Sequence, residues 1–230
     1  MNKFASLLLI FIIGYAPALV NAQDCNTYYP LQEGVRLEYA MYDKKDKPEG
    51  TQWQEVTEVN ETSDGVEAKM KIGFVDKKGK TVYETEYGFV CDGNVIRVDY
   101  QSLMAGPAME QFKDMEVELS GTDLEIPNNL YEEQDLKDAS ITMKINMGGM
   151  NMNSVVEMTN RKVEKMEKVT TPAGTFECAV LYAETRSKMM MADRSFPSRT
   201  WMAKDVGMVK SESYNKKGEV ISRMELTAIQ

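Results

Sequence analysis

The stretch Val66-Glu67-Ala68-Lys69-Met70-Lys71-Ile72-Gly73-Phe74 places an apolar side chain at every second position, with a charged residue or a glycine between. Successive side chains of a strand leave on opposite faces, so this period of two predicts a half-buried β-strand. Working outward, the same alternation returns in Tyr83, Thr85, Tyr87, Phe89 and Cys91 against Glu84, Glu86 and Gly88. It returns again in Met115, Val117 and Leu119, in Ile141, Met143, Ile145 and Met147, and in Val220, Met224, Leu226 and Ala228. Turn chemistry separates these runs. Asp76-Lys77-Lys78-Gly79 and Asn215-Lys216-Lys217-Gly218 each open with an Asx residue and close with a glycine that supplies positive φ, the plan of a short hairpin loop. Asp64-Gly65, Asp92-Gly93, Gly148-Gly149 and Pro172-Ala173-Gly174 mark further reversals. Connections this short join antiparallel neighbours, because a parallel pair needs a long crossover.

The fold class expected is therefore mostly β: an antiparallel meander forming a curved sheet or a partly closed barrel. Residues 102–113 interrupt the alternation. There helix formers, with Pro107 at a first-turn position and Met104, Met109 and Phe112 along one edge, predict one or two short helical turns. Ile126-Pro127-Asn128-Asn129 opens a longer loop that reaches Ala139.

The N-terminus reads as a secretory signal peptide. Lys3 precedes an apolar run from Phe4 to Ile13, then come Gly14, Pro17 and the small residue Ala22. The run is too short and too broken to span a bilayer, so cleavage after Ala22 is expected, leaving residues 23–230 as one β-rich exported domain. Asp24 before Cys25 argues against a lipidated cysteine, and no later stretch is apolar enough for a transmembrane segment. The location expected is periplasmic or secreted. The chain carries a net charge of −9, and loss of Lys3 on cleavage makes the exported domain more negative by a single charge. Its lysines are interleaved with acids, which disfavours nucleic acid as a partner.

Three cysteines allow three pairings in an oxidising compartment. Cys25 with Cys91 is the favoured pair, since it would tie the mature N-terminus to a strand end. Cys178, within the alternating Phe176, Cys178, Val180 and Tyr182, reads as a small buried hydrophobe. The chain has no histidine, which removes the commonest general base and the imidazole triads. Glu84 with Glu86, and Glu132 with Glu133, are nominal carboxylate pairs, but alternation puts Glu84 and Glu86 on the wet face. No phosphate-cradling loop or nucleophile elbow is present. The protein is expected not to be an enzyme and to need no cofactor.

Val169-Thr-Thr-Pro-Ala-Gly-Thr-Phe-Glu-Cys178, Thr200-Trp-Met-Ala-Lys-Asp-Val-Gly-Met-Val-Lys210, the closing Met224-Glu-Leu226 and the early Tyr29-Pro30-Leu31-Gln32-Glu33-Gly34 carry a family resemblance. In these motifs the chain resembles exported bacterial proteins of domain of unknown function 3108, also called TapB-like. The resemblance implies a secreted, largely β protein and transfers no functional residue.

Eighteen methionines are the unusual feature of the composition. Unbranched thioethers repack around varied shapes, so a Met-lined concave face suits an apolar or lipid-like ligand. Met143, Met147 and Trp201 are the candidate ligand contacts, with Trp201 read first as a core aromatic. One alternative is an accessory or scaffold subunit with a closed core, its partner another envelope protein. The other is periplasmic Cu(I) binding by Met147, Met150 and Met152, whose Met-x-x-Met-x-Met spacing offers soft thioether ligands.

Overall fold

The computed structural model describes Cys25 and residues 28–63, 65–99, 116–147, 150–189 and 192–230. All regular structure among them is strand. The signal peptide expected over residues 1–22 and the helical turns expected over 102–113 lie outside the described residues.

Thirteen strands follow in chain order: β1 (Arg36–Asp43), β2 (Pro48–Thr62), β3 (Gly65–Asp76), β4 (Thr81–Cys91), β5 (Val95–Val98), β6 (Glu116–Gly121), β7 (Leu124–Pro127), β8 (Ala139–Met147), β9 (Met150–Thr171), β10 (Gly174–Met189), β11 (Ala192–Ala203), β12 (Gly207–Tyr214) and β13 (Val220–Ile229). They form one sheet in the order β6-β8-β9-β10-β11-β12-β13-β1-β2-β3-β4-β5-β7, every neighbouring pair antiparallel. The curved antiparallel sheet expected from alternation is the observed fold.

Two hairpin loops form where an Asx residue and a glycine place them. Asp76 Oδ1 accepts from the backbone N–H groups of Lys78 and Lys80 at 2.8 and 3.0 Å, and Gly79 takes φ 81°. Asn215 Oδ1 does the same for Lys217 and Glu219 at 2.8 and 3.0 Å. A third copy joins β1 to β2, where Asp43 Oδ1 accepts from Lys45 and Lys47 and Asp46 takes φ 61° in place of a glycine.

The order of strands requires curvature. β6 and β7 are the two outer strands of the sheet, yet only Thr122 and Asp123 separate them in sequence. Three Cα steps of about 3.8 Å span no more than about 11 Å. The sheet must therefore roll until its opposite edges meet at that corner. A strap formed by residues 128–138 covers the seam. Beyond its pairing with β8, β9 exchanges backbone hydrogen bonds with this strap: Leu136 N–H to Arg161 O, Val163 N–H to Gln134 O and Glu133 N–H to Val163 O, all at 2.8–2.9 Å. The Arg161 side chain adds bonds to the carbonyls of Lys137 in the strap and Glu125 in β7.

Two of the four buried clusters among the described residues receive the N-terminal entry segment. Met70, Tyr87, Phe89, Cys91, Ile96 and Val98 form one, with Cys25, Tyr29 and Leu31 packed on it. Tyr28, Ile126, Leu130, Leu136, Val163, Ala179 and Met202 form the other. The segment Tyr28–Leu31 thus enters the interior before β1 begins, and the Cys25–Cys91 disulfide, with Cα atoms 6.1 Å apart, moors it to the end of β4. Cys178 is a free, fully buried thiol.

Candidate functional site

The inner face of the rolled sheet surrounds a cavity of about 150 Å³. Its apolar wall is built from strands distant in sequence: Leu37 of β1, Met70 of β3, Leu124 and Ile126 of β7, and Leu181 of β10. Four thioethers contribute, from Met70, Met158, Met202 and Met208. Tyr29 and Pro30 supply the wall on the side of the N-terminal segment. The polar groups facing it include Gln54, Ser198, Thr200, the hydroxyl-bearing Tyr29 and Tyr87, and one cation, Arg161.

Arg161 reaches this position through a β-bulge. On β9, Thr159 pairs with Glu184 and Lys162 with Tyr182, so Asn160 and Arg161 together oppose the single residue Ala183 of β10. Asn160 takes φ 52°, a left-handed conformation that asparagine tolerates better than most side chains. A bulge inserts one residue and so reverses which positions face inward. Met158 faces the cavity before it. After it Arg161 and Val163 are the buried residues, while Asn160 and Lys162 are exposed. Unbroken alternation from Met158 would instead turn Asn160 inward and Arg161 to the wet side.

Arg161 is 6% exposed, and its two bonds to backbone carbonyls use two of the five guanidinium N–H groups. Among the described residues no carboxylate lies within ion-pair distance of it. Glu125, which acts on it from a distance, is paired instead with Lys137 at 2.8 Å and Arg97 at 3.7 Å. Burial lowers the guanidinium pKa, and the fields of Asp138 and Glu125 oppose that shift. The group stays cationic, because an arginine starts from so high a pKa.

The hydroxyls of Tyr29, Tyr39 and Tyr87 interact with one another in this interior. Tyr87 donates to the Met70 thioether at 2.9 Å and Tyr39 donates to the Met208 carbonyl at 2.9 Å. Burial pushes the Tyr29 hydroxyl up to about 12, opposed by a hydrogen bond with Tyr87 and the charge of Arg161. Burial also raises Tyr39 and Tyr87 above the ordinary value near 10. A raised folded-state pKa means that the native protein holds its phenolic protons more tightly than the unfolded chain does. The stability this contributes is complete below about pH 10 and is lost as pH rises through the folded values. The urea midpoint is therefore expected to fall steeply between pH 10 and 12, and Tyr39→Phe is expected to flatten that fall. A midpoint constant to pH 12 would contradict the buried arrangement of the three hydroxyls.

The residues singled out by sequence are placed differently from one another. Met143 is buried in β8, opposite Leu119 of β6 and Ser154 of β9, and is not among the residues that line the cavity. Trp201 is 6% exposed on β11, between Thr200 and Met202, which do line it, so the indole points to the other face of the sheet. There it packs with Cys178, Val180, Ala203 and Val209, its Nε1 donates to Glu167 at 2.5 Å, and the Lys210 ammonium sits 4.7 Å over the ring. Burial raises the adjacent Cys178 thiol to about 11, which suits an inert core group. Met147 pairs with Met150 and Ile145 with Met152 across the β8–β9 hairpin, but the side chains of Met147, Met150 and Met152 lie outside the described residues. Glu84 pairs with Lys71 at 2.9 Å, and Glu132 and Glu133 are exposed on the strap. Sequence reading missed Arg161, the bulge and all four cavity methionines as site residues. An asparagine beside an arginine inside a long strand was the one local signal.

Among the described residues no helix is long and apolar enough to cross a membrane. A family model described as DUF3108-like matches residues 32–226. No curated protein matches the chain. Two crystal structures share the fold. One is a candidate exported protein with a YmcC-like fold from Bacteroides fragilis, with a TM-score of 0.71 and 22% identity. The other is a candidate lipoprotein from Parabacteroides distasonis, with a TM-score of 0.70 and 22% identity. Each alignment covers 90% of this chain and 100% of the other. At that identity the likeness concerns fold.

Proposed function

We propose, for a chain that belongs to the DUF3108-like family, a non-catalytic role in the cell envelope: holding a small apolar ligand inside the rolled sheet. The observation that carries this reading is the cavity of about 150 Å³ with thioethers from four different strands in its wall. Methionine side chains adjust to a guest at low cost, and an apolar space of this size accepts a benzene-sized group. Ordinary small-molecule sites run from about 300 to 1,000 Å³, so the ligand is compact, and two full acyl chains do not fit. Export is supported by the signal-peptide layout of residues 1–22 and by the description of the Bacteroides fragilis structure as an exported protein.

The test uses 1-hexanol as a neutral probe on protein labelled at its methionine methyl groups. Saturable shifts at Met70, Met158, Met202 and Met208, with Met166 on the exposed surface unmoved, are the expected result. Native mass spectrometry of protein purified from an envelope fraction should in addition retain a small co-purifying mass. No saturable shift at any of the four methionines would remove the reading.

A further inference from the structure

We propose that the ligand carries a carboxylate, or a group of the same charge and shape, and that Arg161 receives it. This rests on the ligand-binding reading above and adds the chemistry of the ligand's polar end. Three observations converge on it. The guanidinium is nine-tenths buried, lines the cavity, and among the described residues has no acid in ion-pair reach. Asp138 and Glu125 act on this buried charge only from beyond ion-pair distance, and with the two carbonyl acceptors they compensate for only part of the cost of burying it. The chain also places the residue there by a specific device, a bulge that turns position 161 inward where regular alternation would turn it out.

The remaining donors suit a planar anion. Nε–H and the second N–H on each terminal nitrogen are not engaged by the Lys137 and Glu125 carbonyls. Two parallel N–H···O bonds from one guanidinium to one carboxylate form the fork geometry that arginine provides and lysine does not. Tyr29 and Tyr87 bring hydroxyls to the same cavity, and burial keeps both protonated. The thioethers of Met158 and Met202 then face the tail. An amphipathic ligand with one anionic head and a compact apolar body matches both ends.

The alternative is that Arg161 only clamps β7 and the strap onto β9. The experiment separates the two by titrating hexanoate, 1-hexanol and methyl hexanoate at neutral pH into the wild-type protein, Arg161→Met and Arg161→Lys. Wild type is expected to bind hexanoate at least tenfold more tightly than either neutral probe. Arg161→Met is expected to bring the ratio of hexanoate to 1-hexanol affinity down to about one, and Arg161→Lys to keep a reduced preference. Equal wild-type affinity for hexanoate and the neutral probes would overturn the inference, and it needs no variant to fold. Failure of all three probes to bind would instead remove the cavity reading beneath it.

Discussion

Reducing the Cys25–Cys91 disulfide is expected to lower the unfolding free energy by roughly 4 kcal/mol, the chain-entropy figure for a loop closed across 66 positions. The bond crosses from the entry segment to the end of β4, so the loop it closes contains β1, β2, β3 and most of β4. Cys91 is fully buried beside Phe89 and Ile96, and Cys25 packs on the same cluster. Cys178 belongs to another buried cluster with Trp201 and Val209 and offers no substitute partner. Urea titrations of the wild type, oxidised and reduced, and of Cys25→Ser with Cys91→Ser would measure the loss. A difference below about 0.5 kcal/mol would mean that the bond does not constrain the unfolded chain. The same treatment reaches the cavity, because Tyr29 and Pro30 follow the tether by only a few residues and contribute to the wall. Weaker 1-hexanol binding after reduction is the accompanying result.

The legible and illegible features of this fold divide by the range of the interactions that set them. Asp76-Gly79 and Asn215-Gly218 could be read as hairpin loops because a side-chain oxygen and a positive-φ residue act within four positions. The copy at Asp43-Asp46 escaped because an aspartate holds the left-handed position that glycine usually marks. The strands of β3, β4, β8 and β13 were legible from alternation, which is also local. That β6 and β7 lie on opposite edges of the sheet was not, since their partners are β8 and β5 and nothing within either strand names them. Curvature follows from that pairing, so which face became concave was hidden too.

The candidate site follows the same division. Alternation assigns Met143 to a buried face and residue type marks Trp201 as a core aromatic, and both are buried. It cannot say whether a buried face is the cavity face, and for Trp201 the neighbours Thr200 and Met202 are the ones turned inward. Arg161 is harder still. Its burial depends on the single inserted residue in β9, so a reading that assumes unbroken period two assigns it to solvent. The motif Tyr29-Pro30-Leu31, noticed for resemblance alone, turns out to plug the interior, with Tyr28 in one cluster and Leu31 on the other.

Phe89→Ala is expected to cost about 3–5 kcal/mol, the range for truncating a buried phenylalanine. Phe89 is 1% exposed, stands opposite Ala68 of β3 and Val98 of β5, and meets the rings of Tyr29 at 5.1 Å and Tyr87 at 6.4 Å. Its small neighbour Ala68 cannot extend into the vacated space, so the void closes only if the tyrosines move. Those two tyrosines wall the cavity, which couples the core defect to the ligand site. If they relax toward position 89, the cavity widens and larger apolar alcohols should gain affinity relative to 1-hexanol. If they stay, the loss should lie near the upper end of the range and the preference among alcohols should not change. Phe89→Leu, which retains most of the volume, should lose less than half as much and leave probe binding intact. Denaturation and alcohol titrations on both variants decide between the outcomes. A loss below about 1 kcal/mol for the alanine variant would show that Phe89 does not organise this cluster, and with it the placement of Tyr29 and Tyr87 at the cavity would have to be abandoned.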